Sequence, residues 1–577
     1  MYSIENAKFK THYSKIKPLD IKYLGETCLS STDDYNPFHI TKLQNYNPIY
    51  SEFFEMTEKN QNKIAFNHKF HIQNLDQIYA YDSGKLINSP VFIKFSPLLD
   101  PVRYMIGKYD IEDERIRTLP HIHATEETCF KKLLDPNNTS YVDNFFSYLT
   151  SQVLHQHQFY HAIDYYGSFL GIQENFKFDI YDDFEYLNTS PFFMENLGKH
   201  FYLDSNPREH SGYLYANSRA NKSKLEISSS LKSMNSIIDL GEVDSNPFDN
   251  ESCPGELEEV YEKNKSLSPQ CSTSDSNNSE TNYSSESESE TETSSETETE
   301  EQSEETESEE QSEESESEES ESEEEEPIFA YIRNFPIQMI CLEKCDGTLD
   351  ELFVKNKINP QNGASILFQI IMTLITYQKL FHFTHNDLHT NNIMYINTDV
   401  PFLQYKFHDK YYKIPTYGKI FKIIDFGRAI YKYNGKIFCS DSFSKGCDAY
   451  TQYNTEPYMD FNKSRLEPNY SFDLSRLATS IFDFILEHDD SEEGLDPLQQ
   501  VILKWCKDDN GKNVLYKSNG QERYPGFKLY KMIARTVHNA IPEEQLSLDY
   551  FHQFEIDENL IDKNEVFMNI DDIPCYV

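Results

Sequence analysis

The feature that most limits what this chain can fold into is an interruption. Residues 215–326 are dominated by Ser, Asn, Glu and Thr, and 284–326 hold 23 Glu with neither Lys nor Arg. Such a stretch cannot bury enough apolar surface to offset the entropy of ordering, so it is expected to be disordered. Patterned sequence resumes at Pro327, which makes the stretch an insertion rather than a tail. Loop-closure entropy grows slowly with length, so a folded body tolerates it. The fold must then be assembled from two patterned segments, one on each side.

The chain has 577 residues and a formal net charge of −45, about half of it in the tract. A chain so acidic lacks the clustered Lys and Arg that phosphate contacts need, so no nucleic acid is expected as partner. A basic protein partner for the insertion is the electrostatically favoured alternative to a plain solvated spacer. Ser285 and Ser287 each have Glu three residues later, a pattern open to added phosphate. The ten Cys include no Cys-x-x-Cys pair and read as reduced thiols. The polar first ten residues lack a signal-peptide core, and no unbroken run of 18 apolar residues occurs. The expectation is an intracellular protein with no membrane partner. Oligomeric state is not legible.

Outside the insertion, 60–110 read as short strands, with SPVFIKF (89–95) the most β-prone. Apolar spacing at Phe145, Leu149, Val153 and Leu154 predicts a helix over 141–158, and 159–172 return to strand. After the insertion, Ile337 to Leu342 read as a strand and CDGTLDELF as a turn entering a helix. Ile366, Leu367, Ile370, Ile371, Leu374 and Ile375 predict a helix over 364–381. Two short strands follow, then helices over 472–487 and 526–540. Strands with one helix, then mostly helices, suit a two-lobed α+β protein.

Two motifs carry chemistry: HNDLHTNNIM, His385 to Met394, and KIIDFGRA, Lys422 to Ala429. Asp387 and Asn392, five residues apart in one loop, can set a carboxylate base and an oxygen ligand around one centre. Asp425 adds a second carboxylate at a strand end, and hard oxygen ligands of this kind suit Mg²⁺. Phosphoryl transfer asks for little more than such positioning and charge neutralisation.

HxDLxxxN followed by DFG resembles the catalytic and metal-binding loops of the protein kinase family. The resemblance implies an α+β bilobal kinase-like fold with a small, mainly β N-lobe, a mainly helical C-lobe and the acidic insertion looping out. It implies ATP and Mg²⁺ as cofactors and a protein substrate. Asp387 would be the catalytic base, and Asn392 and Asp425 the Mg²⁺ ligands. His385 and Phe426 would pack in an internal spine, and Asp473 would support the catalytic loop. VFIK resembles the strand supplying the phosphate-binding lysine, here Lys94. Leu342, Glu343 and Cys345 would form the hinge facing adenine, with Asp346 or Asp350 near ribose. The acidic insertion and the long gap from Asn392 to Asp425 resemble the serine/threonine protein kinases of giant, mimivirus-like DNA viruses. In that setting the host cytoplasm would be the location.

The sequence also departs from the family pattern. No glycine-rich loop precedes Lys94; Gly84 in DSGKL stands alone and reads as a hairpin turn. Where the helix should offer a Glu to Lys94 stand Thr150, Ser151 and Gln152, with Glu126 and Glu127 as earlier candidates. Asn386 replaces the usual Arg, and His389 the usual Lys. His121, His123, His155, His157 and His161 lack ligand spacing and read as surface or core histidines. The expected division is an extension over 1–59, N-lobe and hinge over 60–345 interrupted by 215–326, and C-lobe over 346–577. The leading expectation is transfer to protein Ser/Thr hydroxyls. A catalytically weak pseudokinase scaffold and a small-molecule phosphotransferase are the alternatives.

Overall fold

The computed structural model describes residues 35–204, 328–486, 493–562 and 565–577, with a few positions between 13 and 24. The insertion 215–326, with Ser285 and Ser287, lies outside the described residues.

The first half is built on strands whose alternating burial sets which side chains face inward. In chain order these are β1 (Ile40–Gln44), β2 (Phe70–Ile72), β3 (Gln77–Ala80), β4 (Lys85–Asn88) and β5 (Val91–Pro97). Helix α1 (Thr139–His157) follows, then β6 (Tyr165–Asp179), β7 (Phe201–Leu203) and β8 (Phe329–Glu343). The main sheet runs β1–β6–β8–β5, antiparallel throughout, with β7 also on β8. Strand β1 therefore brings part of the first 59 residues to the sheet edge. Strands β2, β3 and β4 form a separate antiparallel meander. Gly84 sits in the turn between β3 and β4 at φ +67°, the left-handed region that favours glycine. Within β5, Val91 and Ile93 are buried while Phe92 is exposed, and Lys94 lies opposite Ile340 of β8.

The described residues that precede and follow the insertion meet each other. The Asp204 N–H donates to the Phe329 carbonyl (3.2 Å), and the Phe329 N–H donates to the Asp204 carboxylate (3.3 Å).

The second half begins with α2 (Leu349–Val354) and α3 (Pro360–Phe381). Pro360 at the first position and a reciprocal Asn359/Asn362 capping box start α3, and His382 in the left-handed region ends it. By mean hydropathy, 1.4 over 18 residues, α3 is apolar enough to cross a membrane, but 94% of that stretch is buried inside the protein. It is apolar all round because it is enclosed all round. Four strands follow: β9 (Ile393–Asn397), β10 (Phe402–Phe407), β11 (Lys410–Pro415) and β12 (Lys419–Ile423). The hairpin β10–β11 was not anticipated, nor was its parallel pairing with Phe567–Asn569. The remaining helices used below are α4 (Phe472–Ile485), α5 (Pro497–Trp505) and α6 (Lys528–Thr536). The architecture is mixed α+β.

Two hydrophobic cores organise the body, one between the sheet and the segments around 98–133, the other around α3. Phe145, Phe146 and Leu149 of α1 belong to the second, so α1 ties the sheet half to the helical half.

Candidate active site

The loop after α3 is held from beneath. Asp473, fully buried in the first turn of α4, accepts the backbone N–H groups of His385 (2.8 Å) and Asn386 (2.9 Å). Burial pushes the Asp473 carboxyl up, while His385 and the two N–H groups pull the other way. Asn386 adopts φ +64°, a conformation Asn tolerates better than most residues. Its side-chain nitrogen donates to the carbonyls of Thr384 and Arg428, and its oxygen accepts the Tyr453 hydroxyl. The Asn392 side-chain nitrogen donates to the Asp387 carbonyl (2.9 Å), which turns its amide oxygen away from that carbonyl. The Ile424 N–H donates to the Asn392 carbonyl (3.0 Å), so the loop and the segment entering Asp425 are stitched together.

Lys94 reaches this centre from the sheet. Its ammonium lies 2.7 Å from Asp143 and 2.7 Å from Asp425. Burial works against its charge, but the carboxylates of Asp143 and Asp425 outweigh that and hold its pKa above the usual lysine value. Asp143 is the residue the sequence reading missed. Its second oxygen accepts the Phe426 N–H (2.9 Å), so one carboxylate links strand, helix and the 425–427 turn. The expected partner positions lie elsewhere: Ser151 donates to Asp164, Gln152 to the Asn67 carbonyl, and Glu126 and Glu127 are exposed. An Asp reaches one carbon less than a Glu, so α1 must come closer, and it is held there. Phe146, three residues on from Asp143, packs on Phe383 (4.4 Å) and Phe426 (4.7 Å), and the Tyr431 hydroxyl donates to the Val142 carbonyl. A polar residue at i−3 from a buried aromatic on the core face was the available signal.

His385 and Phe426 do meet, with ring centroids 5.8 Å apart, and the His385 ring also bonds the Ile424 carbonyl. Asp425 holds φ +63°, again where Asp is better tolerated than most. Of the expected adenine-facing segment, Leu342 is buried and paired with Phe92. Glu343 turns its carboxylate to the Asp164 N–H (2.8 Å) and the buried ammonium of Lys422. Asp350 accepts the Thr390 hydroxyl (2.5 Å), and Asp346 accepts the Asn397 N–H (2.7 Å). Both carboxylates expected near ribose thus have protein partners. Cys345 is half-buried beside them.

Asp387 is fully buried. One carboxylate oxygen accepts the Tyr530 hydroxyl (2.7 Å) with Arg476 at 3.7 Å, and the other lies 3.9 Å from Arg428. Two residues on, His389 is also fully buried, and neither ring nitrogen has a hydrogen-bond partner among the described residues. Burial pushes its pKa down to about 4, leaving a neutral imidazole at pH 7. Of the histidines singled out in the sequence, His161 bonds the Phe421 carbonyl and Tyr405, His155 pairs with Asp164, His157 bonds the Tyr576 hydroxyl, and His121 and His123 are exposed. Among the described residues no three His, Cys, Asp or Glu side chains cluster as a metal site.

No protein-family profile matches the chain. Over 105 residues, 18% of its length, it is 34% identical to the serine/threonine-protein kinase haspin of Mus musculus. The matched stretch covers 14% of that relative. The similarity is that of a kinase-like protein, over a limited part of the chain.

Proposed function

We propose that the chain is a divergent bilobal protein kinase that moves the γ-phosphoryl group of ATP to Ser/Thr hydroxyls of proteins. The observation that carries this is the meeting of Lys94, Asp143 and Asp425 at 2.7 Å contacts beside the Asp387–Asn392 loop. These groups come from β5, α1 and two loops of the second half, and their shared chemistry is the handling of phosphate.

Lys94 would bind phosphate oxygens of the nucleotide, with Asp143 fixing its position. The acceptor hydroxyl would attack the γ-phosphorus while the bond to the β–γ bridging oxygen breaks. ADP leaves with that bonding pair, and the hydroxyl proton passes to Asp387. Asp425 and the Asn392 amide oxygen fit Mg²⁺, which needs only one or two protein oxygens when phosphates and water complete its shell. Mg²⁺ would supply neutralisation of phosphate charge. A second reading, a nucleotide-binding scaffold with weak turnover, is favoured by the complete burial of Asp387. In either case the acidic stretch would serve basic partners.

The test is transfer of labelled γ-phosphate from Mg-ATP to the protein itself and to a basic protein mixture. Asp387→Asn and Asp425→Asn should each lower transfer by about 100-fold or more. Nucleotide binding by well-folded wild type without any transfer would move the reading to the scaffold.

A further inference from the structure

Asp387 has no exposed surface, so an acceptor hydroxyl cannot reach it in this arrangement. What covers it is specific. The Tyr530 oxygen donates to Asp387 (2.7 Å) while accepting from the Arg476 guanidinium (2.8 Å). Its ring stacks on Phe527 (centroids 4.8 Å) and lies against Arg476 (4.8 Å) and Arg428 (5.5 Å). Arg428 is itself buried and ion-paired with Asp448. Tyr530 is 2% exposed and sits in the first turn of α6, which packs on α4, the helix that carries Arg476.

We infer that Tyr530 is an internal occupant of the acceptor position, its phenol taking the hydrogen bond to Asp387 that a substrate hydroxyl must take. The inference rests on the kinase reading above. A base must lie within hydrogen-bond reach of the proton it removes; the Tyr530 hydroxyl already takes one Asp387 oxygen, and the other is buried without a hydrogen-bond partner among the described residues. Acceptor binding therefore requires the Phe527–Tyr530 segment to withdraw. While the covered form predominates, acceptor affinity is lowered by the fraction of molecules that are open. Nucleotide binding, through Lys94, Asn392 and Asp425, does not involve Tyr530.

The experiment measures kcat and KM for a basic peptide mixture containing Ser, Thr and Tyr, and KM for ATP. Wild type, Tyr530→Phe, Tyr530→Ala and Phe527→Ala are compared, each with and without Asp387→Asn. Phe at 530 removes only the hydroxyl, so it tests the contact even where Ala disturbs the fold. A hydrogen bond to a charged group is strong enough that its loss should lower the peptide KM by about tenfold, with KM for ATP unchanged. A fall in kcat at unchanged peptide KM would overturn the inference, making Tyr530 a positioning residue for Asp387. Phosphate on Tyr530 in wild type would also overturn it, since the tyrosine would then be an acceptor. Asp387-dependent transfer that Tyr530→Phe leaves unaltered defeats the inference alone. No Asp387-dependent transfer in any variant defeats the inference and the kinase reading together.

Discussion

Lys94 and Asp143 meet at 2.7 Å across the boundary between sheet and helix, and the other oxygen of Asp143 holds the Phe426 N–H. This pairing fixes the distance of α1 from β5 and the position of the turn that begins at Asp425. Asp143→Asn keeps the shape and an acceptor for Phe426 but removes the charge facing Lys94. It should cost about 100-fold in phosphate transfer, on the scale of other lost electrostatic contacts. Asp143→Ala should in addition destabilise the fold by roughly 3 kcal/mol, because it leaves a mostly buried ammonium with one partner fewer. Transfer rates and denaturant midpoints of the two variants measure this; an Asn variant within twofold of wild type would refute it.

Asp473 supports the loop through two backbone N–H groups that have no access to water. Asp473→Ala should cost about 2–4 kcal/mol, for two charge-assisted bonds lost and two buried donors exposed to nothing. Asp473→Asn can still accept one bond and should cost less. Chemical denaturation of both variants gives the order directly.

Asn392→Ala and Asp425→Asn should each raise the Mg²⁺ concentration needed for nucleotide binding by about tenfold or more, since the first deletes a proposed ligand oxygen and the second replaces a charged carboxylate with a neutral amide. Titrating Mg²⁺ against a fluorescent nucleotide reads this without relying on turnover. Equal Mg²⁺ dependence in wild type and both variants would remove these residues from the metal assignment.

His161 is fully buried between the Phe421 carbonyl and Tyr405, and burial pushes its pKa down to about 4. An unfolded chain takes up that proton near pH 6.5. The folded form therefore loses stability at this position as pH falls from about 6.5 to 4, by up to roughly 3 kcal/mol. Buried Asp100, with its pKa raised to about 6, acts in the opposite direction over a similar range. The difference between wild type and His161→Gln isolates the histidine. The gap in stability between them should shift in favour of the variant between pH 7.5 and 5, and a gap independent of pH would contradict the assignment.

Several of the candidate residues that the structure brings together could be singled out in the sequence because they lie in two short segments whose spacing carries meaning. Asp387 with Asn392, and Asp425 with Phe426, needed no knowledge of contacts across the chain. Asp143 was not legible in the same way. Its contact with Lys94 depends on how far α1 stands from β5, a spacing backed by Phe146 packing on Phe383 and Phe426, far away in sequence. The helix was expected at 141–158, close to Thr139–His157, yet a change of two turns in which residue meets Lys94 leaves periodicity untouched. Tyr530 was invisible for the same reason, being 143 residues from Asp387. The β10–β11 hairpin did carry a local signal: β-prone residues flank His408 and Asp409, both at positive φ, as a tight two-residue turn requires.

The seam between Asp204 and Phe329 has a consequence for how the two patterned segments find each other. The two residues hold each other through paired hydrogen bonds, and Leu203 lies beside Ala330 in the sheet. The register of β7 on β8 is thus written into the described residues of the two strand ends. The join is self-addressed: each strand end names the other, 125 positions away in sequence.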